Sequence, residues 1–216
     1  IGYLMGLGGK RLRPMLTLLS NGLYSERVKD VVPYAVAVEA FHNFTLMHDD
    51  IMDNAPLRRG RQTVHEKWNV NTAILSGDVM LVRVYDMFLT MDSNKLKRVL
   101  KAFNKCAAEV CEGQQWDMEF EKEKTVTEAQ YINMIRLKTA VLLGFSLELG
   151  AILAEAPEAD CVALREFGTN IGKDPDIGNS RRVNTTIWRG NRQVHMKSGI
   201  VQAEISVEVF DLGAGL

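Results

Sequence analysis

Residues 41–61 read FHNFTLMHDDIMDNAPLRRGR, and the rest of the chain is best understood outward from them. Within twenty-one residues stand three aspartates, two histidines and three arginines. Asp49 and Asp53 are four apart, so a helix sets them on one face across a single turn. Asp50 lies about 100° further round. Three carboxylates on one turn repel each other unless positive charge stands between them. Two sources fit: divalent cations, or the guanidinium groups of Arg58 and Arg59.

Upstream, Tyr34, Val38, Phe41, Thr45 and His48 recur at helical spacing and predict one long helix from Pro33 to Asp53. His42 lies seven residues before Asp49, on the same side and two turns away. A core histidine and a site residue are equally good readings of it. Asn54-Ala55-Pro56 ends the helix, because the residue before a proline is driven out of the helical region. Leu57 to Thr63 then reads as a basic loop.

Further upstream, Gly8-Gly9-Lys10-Arg11-Leu12-Arg13-Pro14 opens with a glycine pair and sets Lys10 and Arg13 one helical turn apart. Such a pair can grip a phosphate, Arg as a fork and Lys as a point charge. It is not a Walker A loop, since Lys10 is followed by Arg rather than Ser or Thr. Taken alone, a solvated helix start with Pro14 in its first turn accounts for it better.

Further helices are expected at Pro14 to Tyr24, Thr72 to Thr90, Lys95 to Lys124 and Thr127 to Leu153. Gln114, Asp117 and Glu121 share one face of the third. Thr127 is the expected N-cap of the fourth. Lys138, followed by Thr139, stands in an apolar run, where burying a lysine is costly without a compensating anion. Successive amphipathic or wholly apolar helices with short joints predict an all-α bundle.

The 216 residues suffice for a single domain with a sizeable core. A net charge of −1 gives no overall attraction to nucleic acid. Positive charge is local, at Lys10 to Arg13 and Arg58 to Arg61, which favours a small phosphorylated ligand. Cys106, Cys111 and Cys161 lack metal or disulfide spacing and read as reduced thiols of a cytoplasmic protein. The most apolar stretch, Ala140 to Ala154, is interrupted by Ser146 and Glu148, so no membrane span is expected. No signal peptide is visible, although the first residue is not Met.

Carboxylates flanked by arginines suit a diphosphate bridged to protein through magnesium, a hard cation that prefers oxygen ligands. Arginines touching that diphosphate would stabilise the charge that grows on it as a bond breaks. Apolar helix faces below would suit an attached hydrocarbon. A competing reading takes Glu39-Ala40-Phe41-His42 as the Glu-x-x-His element of a di-iron bundle. That site needs a second such element, and no other histidine has a glutamate three residues before it.

HDDIMDNAPLRRGRQTVH resembles the first aspartate-rich motif of the trans-isoprenyl diphosphate synthases, the polyprenyl synthetase family. GGKRLRP, Gly77-Asp78, Gly113 to Asp117 and Lys138-Thr139 are similar to further landmarks of that family, in its order, over residues 6–172. The resemblance implies an isoprenoid-synthase-type helical bundle around a central apolar cavity, acting as a homodimer. It implies that Asp49 and Asp53 ligate Mg2+ with Asp50 supporting them, and that Arg58 holds an allylic diphosphate. Lys10, Arg13, His42 and Arg59 would hold isopentenyl diphosphate. Lys138 and Thr139 would stand at the ionising carbon and leaving diphosphate, with Gln114 and Asp117 close by.

The implied reaction is loss of diphosphate, attack of the isopentenyl double bond on the allylic cation, and proton loss. Product length is read one turn below Asp49, roughly 6 to 7.5 Å down the helix. Phe44 there, beside a small Thr45 and with Phe41 deeper, resembles the floor of a short-chain enzyme making C15 or C20 products. Residues 173–216 depart from the family pattern. No second aspartate-rich motif follows Gly172, Asp174 and Asp176 flank a proline, and Ile200 to Phe210 alternates like a strand. Those features raise a second expectation, a catalytically weak or regulatory subunit of a synthase.

Overall fold

Residues 1–173, with 187–189 and 192–194, are described by the structure, a computed structural model. The chain forms two compact units, Ile1–Arg182 and Val183–Leu216. The second contains an antiparallel pair, β3 (Ile187–Arg189) with β4 (Arg192–Val194). Asp174, Asp176 and the strand expected at Ile200 to Phe210 lie outside the described residues.

The first unit is the all-α bundle that the sequence predicts. Its helices are α1 (Gly2–Met5), α2 (Leu12–Gly22), α3 (Val32–Met52), α4 (Val64–Lys67), α5 (Val70–Phe88), α6 (Ser93–Phe120), α7 (Glu128–Ile135), α8 (Val141–Leu153) and α9 (Glu158–Gly172). The helix α8 is apolar but for Ser146 and Glu148, and each residue from Val141 to Ile152 is buried. A helix of that composition must sit at the centre, and α2, α6 and α9 pack around it. Polar groups of α2 fasten it from outside: Ser20 Oγ donates to the Leu147 carbonyl at 2.6 Å and Asn21 Nδ2 to the Gly150 carbonyl at 3.1 Å.

The apolar centre is aromatic. Phe103 meets Phe41, Phe88 and Phe145 with ring centroids 4.9, 5.1 and 5.7 Å apart. The first two contacts are edge-to-face, the arrangement that ring quadrupoles favour. This cluster ties α3, α5, α6 and α8 into one body. It also seats the lower part of α3, so the aspartates at its end project from a rigid base.

Two local features differ from the sequence expectation. Leu57 to Thr63 is no plain loop: β1 (Leu57–Arg58) pairs with β2 (Arg61–Gln62), Leu57 opposite Gln62 and Arg58 opposite Arg61. Arg59 and Gly60 make the turn with φ of 53° and 76°, the positive angles that a tight hairpin requires. The expected helix Thr127 to Leu153 is interrupted by a single π turn, Arg136–Ala140. Its start is as expected, since the Thr127 side chain and Gln130 form a capping box.

Candidate active site

The acidic end of the site is built on the last turn of α3. Asp50 points inward, 2 % exposed, and the hairpin folds Arg58 over it. Arg58 Nε lies 2.8 Å from both carboxylate oxygens of Asp50, and its Nη2 lies 2.6 Å from Oδ1. The same guanidinium reaches Asp49 Oδ2 at 3.4 Å. Asp50 is thereby committed to Arg58, a support rather than an open metal ligand. Burial raises its carboxyl pKa, with Arg58 pulling the other way.

Lys138 completes this end from the π turn. Its Nζ donates to Asp49 Oδ1 at 3.0 Å and to Asp117 Oδ2 of α6 at 2.8 Å. Burial alone would lower the pKa of this ammonium group, but the charges of Asp49 and Asp117 outweigh it and raise it. The anion that the apolar run demanded is therefore a pair of carboxylates. The close approach has a visible cause: a Cβ on Gly113 would overlap the Lys138 backbone nitrogen. A π turn adds one residue to a helical turn, and here that extra residue carries Lys138 against α6.

Asp53 stays exposed at the C-terminal end of α3. Burial, then the Asp49 charge, raises its pKa; Lys138 relieves it in part, and Asp117 and Glu121 add to it. No group of three His, Cys, Asp or Glu side chains among the described residues is arranged to hold a metal ion by itself. Asp49 and Asp53 present the carboxylate oxygens that a hard divalent cation takes, although the Asp49 oxygens are already engaged by Lys138 and Arg58. Magnesium takes one or two carboxylates and completes its shell with substrate phosphate and water.

The basic end lies beside the first turn of α2. Gly8 and Gly9 adopt φ of 80° and 145°, and the Arg59 side chain lies so close to Gly9 that a Cβ there would press on its guanidinium. Arg59 donates to the Gly8 carbonyl. Arg13 has its Nε enclosed without a hydrogen-bond partner, and burial lowers its pKa to about 10, with Glu39 partly compensating. His42 is set among Arg13, Arg59, Arg58 and Arg11. Burial first, then those four charges, push its pKa well below the ordinary imidazole range, so it is neutral at pH 7. Lys10 is exposed at the rim. Beyond Arg59 opens a cavity of about 660 Å3, lined also by Arg61 and Lys67.

The structure thus brings together Asp49, Asp50, Arg58, Lys138 and Asp117 at one end, and Arg13, His42 and Arg59 at the other. Gln114, three residues before Asp117 on α6, has its Nε2 enclosed without a partner. Thr139 is half-buried beside Lys138. Below the aspartates, Phe44 is buried, with its ring 4.8 Å from His48 and 5.7 Å from Phe41. Thr45 turns its hydroxyl back to the His42 carbonyl at 2.8 Å. Phe41 is a core residue, 1 % exposed and joined to Phe103. The di-iron reading fails, because Glu39 is bound to Arg11 at 2.5 Å.

Sequence reasoning missed that Arg11–Glu39 pair, and also His65, whose two ring nitrogens are enclosed without hydrogen-bond partners near Asp50. A glutamate on the inward face of an apolar helix was the available signal for the first. The second closes the motif HDDIMDNAPLRRGRQTVH, which was the available signal for it.

The polyprenyl synthetase family model matches residues 1–173. The chain is 44% identical over 173 residues to a geranylgeranyl diphosphate synthase of Methanosarcina mazei, covering 79% of this chain and 53% of that protein. It is 43% identical over 171 residues to a short chain isoprenyl diphosphate synthase of Methanocaldococcus jannaschii, covering 79% and 52%. A crystal structure of a geranylgeranyl pyrophosphate synthase superposes with a TM-score of 0.77 at 51% identity, over 79% of this chain and 52% of that one. The chain spans about half the length of the curated relatives it matches. With the family model covering four fifths of its length, the chain belongs to the polyprenyl synthetase family.

Proposed function

We propose that the chain is a magnesium-dependent trans-prenyltransferase that joins isopentenyl diphosphate to an allylic diphosphate. The observation that carries this reading is the contact of Lys138 with both Asp49 and Asp117, beside Arg58. It supplies two cationic donors at a carboxylate wall, next to a basic pole where Arg11, Arg13 and Arg59 outnumber the single carboxylate of Glu39. Such a layout suits two diphosphates at once, one held with a metal and one held by cations alone.

In this reading Arg58 and Lys138 bind the allylic diphosphate and stabilise the negative charge that develops on it as the carbon–oxygen bond breaks. Asp50 holds Arg58 in place, and Asp117 holds Lys138. Asp49 and Asp53 would hold magnesium, which would supply positive charge to the diphosphate and make it a better leaving group. Lys10, Arg13, His42 and Arg59 bind isopentenyl diphosphate and aim its double bond at the allylic carbon. Thr139, next to Lys138, and Gln114, one turn before Asp117, stand as further polar groups for the allylic diphosphate. The apolar residues below exclude water, which would otherwise capture the carbocation. The proton lost at the end passes to the departing diphosphate.

Phe44, with Thr45 above it, sets a short C15–C20 product; the relatives named geranylgeranyl synthases support the longer limit. A second copy of the chain is the expected partner. Ile74, Leu75, Val79 and Val82 expose apolar side chains along α5, a stripe suited to an interface. No helix among the described residues is long and apolar enough to cross a membrane. Free Cys106, Cys111 and Cys161 support a cytoplasmic setting.

The 216-residue chain incubated with isopentenyl diphosphate, dimethylallyl or geranyl diphosphate and magnesium should release diphosphate and yield elongated prenyl diphosphates. Ionisation of the allylic substrate without elongation would overturn the isopentenyl half of the reading. No turnover at all would favour the regulatory subunit.

A further inference from the structure

Arg11 sits between Lys10 and Arg13, yet it does not behave like either. It is the N-cap of α2 and holds φ 50°, ψ 32°, a left-handed conformation that a side chain with a Cβ rarely adopts. Such a residue persists only where its surroundings fix it. Here two contacts do so. Arg11 Nη1 donates to Glu39 Oε1 at 2.5 Å, and Nη2 donates to the Met5 carbonyl at 2.7 Å. One guanidinium thus ties the start of α2 to α3 and to the end of α1.

The partner is equally committed. Glu39 is only 5 % exposed and also accepts from Asn43 Nδ2 at 3.3 Å, while that amide donates to the Glu39 carbonyl at 2.8 Å. Glu39 lies three residues before His42, so both project from neighbouring positions on one side of α3. By contrast, Arg13 and Arg59 form no carboxylate ion pair among the described residues. Three arginines therefore share one small region, but among the described residues only Arg11 is ion-paired with a carboxylate, and Glu39 acts on Arg13 and Arg59 only at longer range. A cation that is neutralised adds little to anion binding. A cation that fixes a left-handed residue fixes the direction in which its neighbours leave the backbone.

We propose that Arg11 and Glu39 form a positioning pair that sets Lys10 and Arg13 for the isopentenyl diphosphate, without touching it. The proposal rests on the reading of that pole as the isopentenyl-diphosphate site. Glu39 acts through Arg11, and Arg11 acts through the backbone turn that aims Lys10 outward and Arg13 inward. The pair affects the binding of one substrate and not of the other, because Arg58 and Lys138 are anchored separately by Asp50, Asp49 and Asp117.

The test is a kinetic double-mutant cycle on the full chain with Arg11→Ala, Glu39→Gln and the double variant, each checked by thermal melting. Each single change should raise KM for isopentenyl diphosphate roughly tenfold or more, the cost of a displaced binding group. KM for the allylic substrate should stay within about twofold, and the double variant should be no worse than the worse single one. Arg11→Lys, which keeps charge but reaches only one partner, should fall between wild type and Arg11→Ala. Overturning results would be additive losses, equal losses for both substrates, or a weakened Arg11→Ala beside an unchanged Glu39→Gln. Calorimetry with inorganic pyrophosphate separates this idea from the function it rests on. Pyrophosphate binding that depends on Glu39 in a chain that elongates nothing would keep the pair and discard the prenyltransferase. A wild-type chain that binds neither pyrophosphate nor isopentenyl diphosphate would discard both.

Discussion

The two ends of the site solve opposite electrostatic problems. At the acidic end Arg58 covers Asp50 and Lys138 bridges Asp49 and Asp117, while Asp53 stays exposed with no ion pair among the described residues. At the basic end Arg13 and Arg59 crowd a neutral His42, and among the described residues only Arg11 is ion-paired with a carboxylate. The first end is preorganised and closed on itself, so a ligand there must bring its own cation or displace Lys138. The second end is under-neutralised, and an anion entering it is welcomed by charges already in place.

The sharpest way to break this comparison is at the bridge. Lys138→Ala removes the cation shared by Asp49 and Asp117 and should lower kcat by about a hundredfold or more, with a smaller effect on KM for isopentenyl diphosphate, in initial-rate assays. A KM effect confined to isopentenyl diphosphate would move Lys138 to the wrong end. Next in size, Arg13→Ala should raise KM for isopentenyl diphosphate roughly tenfold to a hundredfold, since charged donors to a buried anion are among the stronger contacts. Allylic KM should barely move.

Gly113→Ala tests the geometry rather than the charge. The added methyl must push the Lys138 backbone away from α6. Overpacking of that kind costs about 1–3 kcal/mol, visible in a denaturant melt, and activity should fall further than stability. Phe44→Ala should lengthen the product; unchanged chain length by chromatography would leave Phe44 as core alone.

The smallest effect is on pH dependence. The His42 pKa is lowered in the folded state, so near and below about pH 6.5 the unfolded chain binds the extra proton. Stability then rises with pH, being present above the unfolded value and lost as pH falls through the folded one. His42→Asn should flatten that acid-side loss in pH-scanned melts. Inorganic pyrophosphate should flatten it too, by bringing negative charge to the basic end.

Much of this was legible in the chain itself. The helices follow from apolar spacing, Thr127 from its capping partner, and the all-α class from the succession of helices. Lys138 in an apolar run announced that an anion had to face it, and two do. Arg58 was one of the foreseen counter-charges for the aspartates and takes that part, whereas Arg59 turned to the Gly8 carbonyl. Other features were hidden for identifiable reasons. A π turn inserts one residue and leaves the apolar run unbroken. The strands of the hairpin are two residues long, too short for alternation to show. Glu39 and Arg11 are 28 residues apart, and only folding reveals that the glutamate of an apparent metal motif belongs to an arginine.

One titration tests the contrast between the ends directly. Isopentenyl diphosphate and a non-ionisable allylic diphosphate analogue would each be titrated calorimetrically into the chain, with and without magnesium. Binding of isopentenyl diphosphate should survive without the metal, because the basic end supplies its own charge. The allylic analogue should bind only when magnesium is present, because Asp49 and Asp53 repel it otherwise. Equal dependence on the metal for both ligands, or metal-free binding of the allylic analogue alone, would contradict the account.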